Sequence, residues 1–312
     1  MTKTYVIVGA GPVGRHTAEM LRDRGDQVRL VTRSGRVELQ GIDTVAADAS
    51  NPDVLTRMSE GAAALFNCAN PADYTTWEDV WPPLAESLLT AAERTGATLV
   101  TASCLYPYGP TDGPMVAGQP DAATDHKGRL RAGMWAEAKS RHEAGRLRAV
   151  EVRGADYVGA GVGANGHITR HLATATKGKA AWVIGKPDLP HSWTDVADMA
   201  RTLVAVADRP EAWGQVWHAP TGAPRSQREA LTEVLAAGGH DPVAVRSIPR
   251  PVLRGLALVN PLMREIAELA YMWERPYVLD SSRTQEELGL EPTPWDEVCR
   301  RTFEGNREPV SA

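Results

Sequence analysis

The chain has 312 residues, 43% of them hydrophobic, and a formal net charge of -5 with both signs scattered along it. That is enough apolar content for one large or two modest domains. There is no basic stripe of the kind that binds nucleic acid, and no apolar run approaches the roughly 20 residues of a membrane span.

The first element is an apolar run, Tyr5-Val6-Ile7-Val8, which reads as a strand. It begins so close to the first residue that no room for a signal peptide is expected. The run leads into Gly9-Ala10-Gly11-Pro12-Val13-Gly14, then a helical segment from Arg15 to Arg24, then a second strand over Val28–Val31. Strand, glycine turn, helix and strand in this spacing form a dinucleotide site. Gly9 permits the tight turn, Gly11 lets the backbone approach the pyrophosphate, and Gly14 lets helix and strand pack closely. The helix N-terminus presents free N–H groups to the phosphates. NAD sites usually carry Asp or Glu at the end of the second strand. Here Thr32-Arg33-Ser34 stands there. A guanidinium can grip a 2′-phosphate bidentately, so NADP is favoured and NAD is the lesser alternative.

Strand and helix signals then keep alternating. Thr44–Ala47 reads as a third strand ending in Asp48, and Pro52 to Arg57 as a helix start. Ala63–Ala69 reads as a fourth strand, Trp81–Thr95 as a helix with Pro82 and Pro83 in its first turn, and Thr98–Ser103 as a fifth strand. Residues 110–128 form the longest loop candidate, followed by a helix over Arg129–Ala144 and a sixth strand over Leu147–Val152. This alternation predicts an α/β fold, a Rossmann-type doubly wound parallel sheet. Beyond it lie helices over Ile168–Thr176, Val196–Ala207, Ser226–Ala237 and Asn260–Trp273, and a last one from about Pro294 to Phe303. Short strands are expected at Ala181–Ile184 and Gln215–His218, with strand and then loop over Arg246–Pro251. The expected organisation is a dinucleotide-binding domain over 1–165, also taking in 190–220. A smaller C-terminal α+β substrate-binding part takes 166–189 and 221–312.

Three widely separated cysteines, Cys68, Cys104 and Cys299, argue against a disulfide framework or zinc site. The histidines show no metal-ligand spacing, so no metal is expected. A reducing cytoplasm fits this usage, and the excess of arginine over lysine resembles a high-GC bacterial genome. The apolar stretch Leu258–Ala270 is available either to the chain's own core or to a homodimer.

The chain resembles the short-chain dehydrogenase/reductase superfamily on its extended and atypical side, often described as NAD-dependent epimerase/dehydratase. The resemblance rests on the glycine turn, Asp48, Asn67-Cys68-Ala69, Ser103-Cys104-Leu105-Tyr106-Pro107-Tyr108-Gly109-Pro110, and Arg153-Gly154-Ala155-Asp156-Tyr157. Further markers are His191–Asp198 and the Leu288-Gly289-Leu290-Glu291-Pro292 ending. It implies that Asp48 bonds the adenine amino group, that Asn67, Cys68 and Ala69 line the ribose and nicotinamide, and that Ser103 sits beside the reacting oxygen. Tyr157 would lie near the nicotinamide end.

One feature departs from the family. Its chemistry rests on Tyr-x-x-x-Lys, and none of the seven tyrosines here has lysine four residues later. Trp135 with Lys139, or Lys127 with Arg131, could stand in that register; the intervals from Ser103 and to Arg153 favour Lys127 and Arg131. Arg131 would hold ribose or phosphate. Lys127 would serve as an acid only with a depressed pKa; Tyr106, Tyr108 and Tyr157 are the other candidates. Asn70, Tyr74 and Trp77 follow the fourth strand at its ligand-binding carboxyl end, and Trp193 and His167 fall on other pocket segments. These residues point to a partly apolar small-molecule substrate. The implied activity is an NADP-dependent oxidoreductase acting on a carbonyl or alcohol. The alternatives are an NAD(P)-dependent epimerase or dehydratase, a non-catalytic NADP sensor, and a repurposed non-redox enzyme. An enzyme would bring the candidate residues together in one cleft; a sensor would scatter them.

Overall fold

The computed structural model describes residues 2–71 and 73–306. Its first half runs β1 (Thr4–Val8), α1 (Pro12–Asp23), β2 (Gln27–Thr32), β3 (Asp43–Ala46), α2 (Pro52–Met58), β4 (Ala64–Asn67), α3 (Trp77–Thr95) and β5 (Thr98–Cys104). There follow β6 (Met115–Val116), α4 (His126–Glu143), β7 (Ala149–Gly154), β8 (Asp156–Val158), α5 (Thr169–Ala175), β9 (Ala181–Val183), β10 (Trp193–Asp195), α6 (Val196–Ala207) and β11 (Val216–His218). The chain ends with α7 (Gln227–Ala237), β12 (Val245–Ser247), α8 (Arg250–Val259), α9 (Pro261–Glu268), α10 (Tyr271–Glu274), β13 (Leu279–Asp280), α11 (Ser282–Leu288) and α12 (Trp295–Glu304).

Seven strands form one parallel sheet in the order β3-β2-β1-β4-β5-β7-β11. A parallel sheet with helices on both faces needs strands that are apolar on both sides. In β1, Val6 and Val8 join Trp77, Trp81 and Leu88 of α3, whereas Tyr5 and Ile7 join Met199, Leu203 and Val206 of α6 on the other face. β7 is wholly buried despite carrying Glu151 and Arg153. Arg153 bonds Glu151 at 2.8 Å and Asp121 bidentately at 2.6 and 3.1 Å, so neither buried charge of β7 is left unpaired. The order reverses direction between β1 and β4, and the crevice at such a switch point is where doubly wound folds bind ligands. A third apolar cluster joins α5, α7, α12 and the β9–β12 pair.

Several boundaries differ from the sequence expectation. α3 begins at Trp77, with Glu78 and Asp79 in its first turn, so Pro82 and Pro83 stand in its second turn. The carbonyls those prolines leave without a donor, on Glu78 and Asp79, belong to exposed residues that water can serve. α4 starts at His126, capped by Asp125, whose side chain accepts from the Gly128 N–H at 2.7 Å; Lys127 is therefore helical. The single helix expected over Asn260–Trp273 is two helices, α9 and α10. α8 takes in Arg250 and Pro251, the end of the segment expected to be strand and then loop, and runs on to Val259. Pro261 cannot donate an N–H, and Asn260 caps α9 through the Met263 N–H at 3.2 Å. The α8–α9 hairpin leaves Leu258 and Val259 about 80% exposed. No helix among the described residues is long and apolar enough to cross a membrane.

Candidate active site

A cleft of about 1580 Å³ opens along the carboxyl ends of β1, β2, β4 and β5. One end of it is built on the glycine turn. Gly9 has φ +100°, and a Cβ there would meet the Ala69 backbone nitrogen at 2.7 Å. A Cβ on Gly14 would meet the Gly9 carbonyl oxygen at 2.0 Å, so Gly14 serves packing behind the cleft. A Cβ on Gly11 would meet nothing within 4 Å, which leaves that backbone open to the cleft. Gly11 also caps α1 without any side-chain hydrogen bond to its first turn. The helix therefore presents unpartnered N–H groups beside Pro12 and Val13. These features form a cradle that fits a pyrophosphate.

Thr32, Arg33 and Ser34 lie on the wall at the end of β2. Asp48 lies there too, but its Oδ1 accepts from the Ser50 N–H at 2.9 Å and the Ser50 hydroxyl at 2.6 Å. Those bonds hold its carboxyl below the usual carboxylate range. Cys68, Ala69 and Asn70 continue the wall. Asn67 does not: it is 1% exposed, and its side-chain oxygen accepts from the Ala69 N–H at 3.3 Å, fixing the strand end from behind.

In the middle of the cleft, Arg131 and Tyr157 meet Ser103, and Tyr106 lines the same cleft. Arg131 Nη2 donates to Ser103 Oγ and to the Ala102 carbonyl, each at 3.1 Å. Its guanidinium carbon lies 4.3 Å from the centre of the Trp81 ring, and its Nε and Nη1 have no hydrogen-bond partner. Because Ser103 Oγ accepts from a cation, its own O–H is left to polarise a substrate oxygen. The Tyr157 hydroxyl donates to the Ser103 carbonyl at 3.1 Å, and burial raises its pKa far above the phenol range. The Tyr106 and Tyr74 hydroxyls pair at 3.0 Å; burial pushes Tyr74 up to about 12 and Tyr106 well above the usual phenol range. Trp77 stacks on Tyr106 with ring centres 6.3 Å apart.

Three candidates lie elsewhere. Tyr108 is 1% exposed and bonds His218 Nε2 at 2.8 Å, under the Arg153 guanidinium. Lys127 is 1% exposed and ion-paired to Glu265 and Glu268 of α9, which covers it. Trp193 is buried in β10, its indole N–H given to the Arg225 carbonyl at 2.9 Å. Lys127 and Arg131, one helical turn apart, share a face of α4; α9 covers Lys127 and supplies two carboxylates to a cation that could not stay buried alone.

His167 does lie on the cleft wall, ahead of α5 rather than within it. Asp156, Trp273 and Tyr277 stand near it, as do Met263 and Ile266 of α9. Sequence reading missed these as site residues. Asp156 opens a short strand followed by Tyr157 and Val158, the one local sign of a special role. The α9–α10 residues carry no such sign, because only the fold of the C-terminal helices lays them over the cleft.

No curated protein matches the sequence. Solved structures match over nearly the whole chain at low identity. MoeE5 in complex with UDP-glucose and NAD is 19% identical, with 97% of this chain and 98% of that one covered and a TM-score of 0.78. The UDP-glucose 4-epimerase of Thermotoga maritima, solved with UDP-glucose, is 15% identical, with the same coverages and TM-score. The dTDP-glucose 4,6-dehydratase of Bacillus anthracis, in complex with NAD, is 14% identical over 97% and 96%, again with a TM-score of 0.78. At such identity the likeness establishes the shared fold. The sequence model of one family matches residues 5–218, the whole sheet from β1 to β11. The chain belongs to the NAD dependent epimerase/dehydratase family.

Proposed function

We propose that the chain is an NADP-dependent oxidoreductase acting on a small, partly apolar carbonyl or alcohol. The observation that carries this reading is Arg33, set on the cleft wall between Thr32 and Ser34 at the end of β2, where NAD sites carry an acid. Gly9, Gly11 and the α1 N-terminus would hold the pyrophosphate, and Arg33 the 2′-phosphate. When bound, the nicotinamide supplies hydride transfer. Ser103, sharpened by Arg131, would polarise the substrate oxygen. Tyr74, Trp77, Tyr106, Trp273 and Tyr277 give the substrate end an aromatic lining suited to an apolar body. The convergence of Ser103, Arg131 and Tyr157 in the cleft that Tyr106 also lines supports an enzyme over a sensor.

The test is binding of NADPH and NADH, followed by nicotinamide fluorescence, in wild type and Arg33→Ala. A charge-assisted phosphate contact predicts roughly ten- to a hundredfold weaker NADPH binding in the variant, with NADH unchanged. An unchanged preference refutes the role of Arg33. Failure of both nucleotides to bind at millimolar concentration refutes the redox reading. A second reading is an epimerase or dehydratase that returns the hydride to its own substrate, supported by family membership and by the sugar-nucleotide neighbours. It predicts no net NADPH consumption.

A further inference from the structure

We infer that His167, backed by the carboxylate of Asp156, carries the proton at the substrate end of the cleft; this rests on the redox reading above. The other candidates are committed. Tyr106 is paired with Tyr74, Tyr157 gives its proton to the Ser103 carbonyl, and Lys127 is held by Glu265 and Glu268. His167 is not tied up in this way. Its side chain is 17% exposed on the cleft wall, and its ring lies 4.2 Å from the centre of Trp273.

Asp156 is unusual. Its side chain is only 11% exposed, and no lysine or arginine among the described residues pairs with it. Its Oδ2 accepts from His191 Nε2 at 2.9 Å and from the Trp273 indole N–H at 3.2 Å. His167 Nε2 stands 3.9 Å from the same oxygen, too far for a direct hydrogen bond but close enough to feel the charge. A carboxylate so placed is balanced when an imidazole gains a proton, so uptake by His167 creates no isolated buried charge. Burial pushes the Asp156 carboxyl up, but His167, His191 and Trp273 outweigh it and bring it down to about 2. Burial lowers His167 to about 4 against the pull of Asp156; Arg170, His191 and His171 add to the lowering. The resting pair is a carboxylate beside a neutral imidazole.

In alcohol oxidation the O–H bond breaks and its proton passes to His167. A bound oxidised nicotinamide, which Gly9, Gly11 and Arg33 would hold, would supply the acceptor for the carbinol hydride, so that C–H breaking balances C=O formation. Reduction runs the same steps backwards. Asp156 is the positioning residue, acting through the imidazole.

The probe is phenacyl bromide, an aromatic α-halo ketone, applied to the full chain saturated with NADP+ and followed by peptide mass spectrometry. The expected result is one adduct on His167, in which an N–C bond forms as C–Br breaks and bromide leaves. Acetophenone slows it, and His167→Gln loses it while binding NADPH like wild type. Asp156→Asn shifts the acid limb of the labelling rate to lower pH, since the carboxylate no longer favours the imidazolium; simple misfolding would not move that limb. For any aromatic alcohol the wild type oxidises, His167→Gln lowers kcat by about 10²–10⁴-fold. With NADPH binding intact, an adduct on Cys104, Tyr106 or Tyr157 instead, no adduct at all, or undiminished labelling of His167→Gln overturns the assignment. An unshifted limb in Asp156→Asn removes Asp156 from it. Loss of NADPH binding in the wild type strikes the redox reading itself, and the proton role falls with it.

Discussion

Replacing Lys127 by Met separates its two conceivable roles. The ammonium is 1% exposed and faces Glu265 and Glu268, the latter at 2.7 Å, with the Tyr74 ring centre at 5.8 Å. One such pair attracts by about 4 kcal/mol at 4 Å in an effective dielectric of 20. Burying the ammonium costs several kcal/mol in return. Methionine keeps the stem and removes the charge, and the two carboxylates are 26% and 30% exposed, so they can turn to water. The net global loss should stay under about 2 kcal/mol. The local effect should be larger. Glu268 also accepts from the His126 N–H at 2.6 Å, so α9 keeps one of three polar ties to α4. Amide exchange over residues 261–268 should rise by roughly ten- to a hundredfold, because local opening loses those ties. Urea unfolding measures the first quantity and hydrogen–deuterium exchange the second, with NADPH binding as the control. Unchanged exchange in α9 would refute the argument, as would a global loss above about 4 kcal/mol.

Gly14→Ala should abolish nucleotide binding and cost at least about 2 kcal/mol, since the new methyl would stand 2.0 Å from the Gly9 carbonyl oxygen; a normal melting curve would contradict it. Arg153→Met leaves Glu151 and Asp121 facing each other without a cation, and should cost about 3–5 kcal/mol in chemical denaturation; a loss below 1 kcal/mol would show that these carboxyls simply protonate. Stability should also fall in mild acid. Burial lowers His218 and His167 to about 4. The unfolded chain therefore binds more protons than the folded one as pH drops from about 6.5 toward 4. Each histidine contributes stability that is present above that window and lost through it, about 3 kcal/mol by pH 4. His218→Gln should flatten that slope in a pH series of urea melts; an unaltered slope would show that His218 does not titrate there.

The sequence by itself determined the parallel sheet and the nucleotide end of the cleft. Both are local: apolar runs of strand length, glycines in register, and a strand end carrying Thr32-Arg33-Ser34 all lie within a few residues of one another, and backbone sterics act over that range. It also offered Ser103 and Arg131 as site candidates, from intervals that the resemblance implies, with Arg131 expected on ribose or phosphate; its hydrogen bond to Ser103 Oγ comes from the tertiary structure. Helix starts were less legible. α4 begins ahead of Arg129 because Asp125 caps it, and α9 begins at Pro261 because Asn260 does. The tertiary structure decided the substrate end. Whether Lys127 meets the cleft or a pair of carboxylates depends on where α9 lands, more than 130 residues later. Tyr108 and Trp193 have the composition of pocket residues but are buried by distant partners, His218 and the Arg225 carbonyl. Asp156 acquires its meaning from His167, His191 and Trp273, which come from three separate segments. Periodicity and turn chemistry specify the path of a segment; which faces of distant segments meet is set by packing of the whole core.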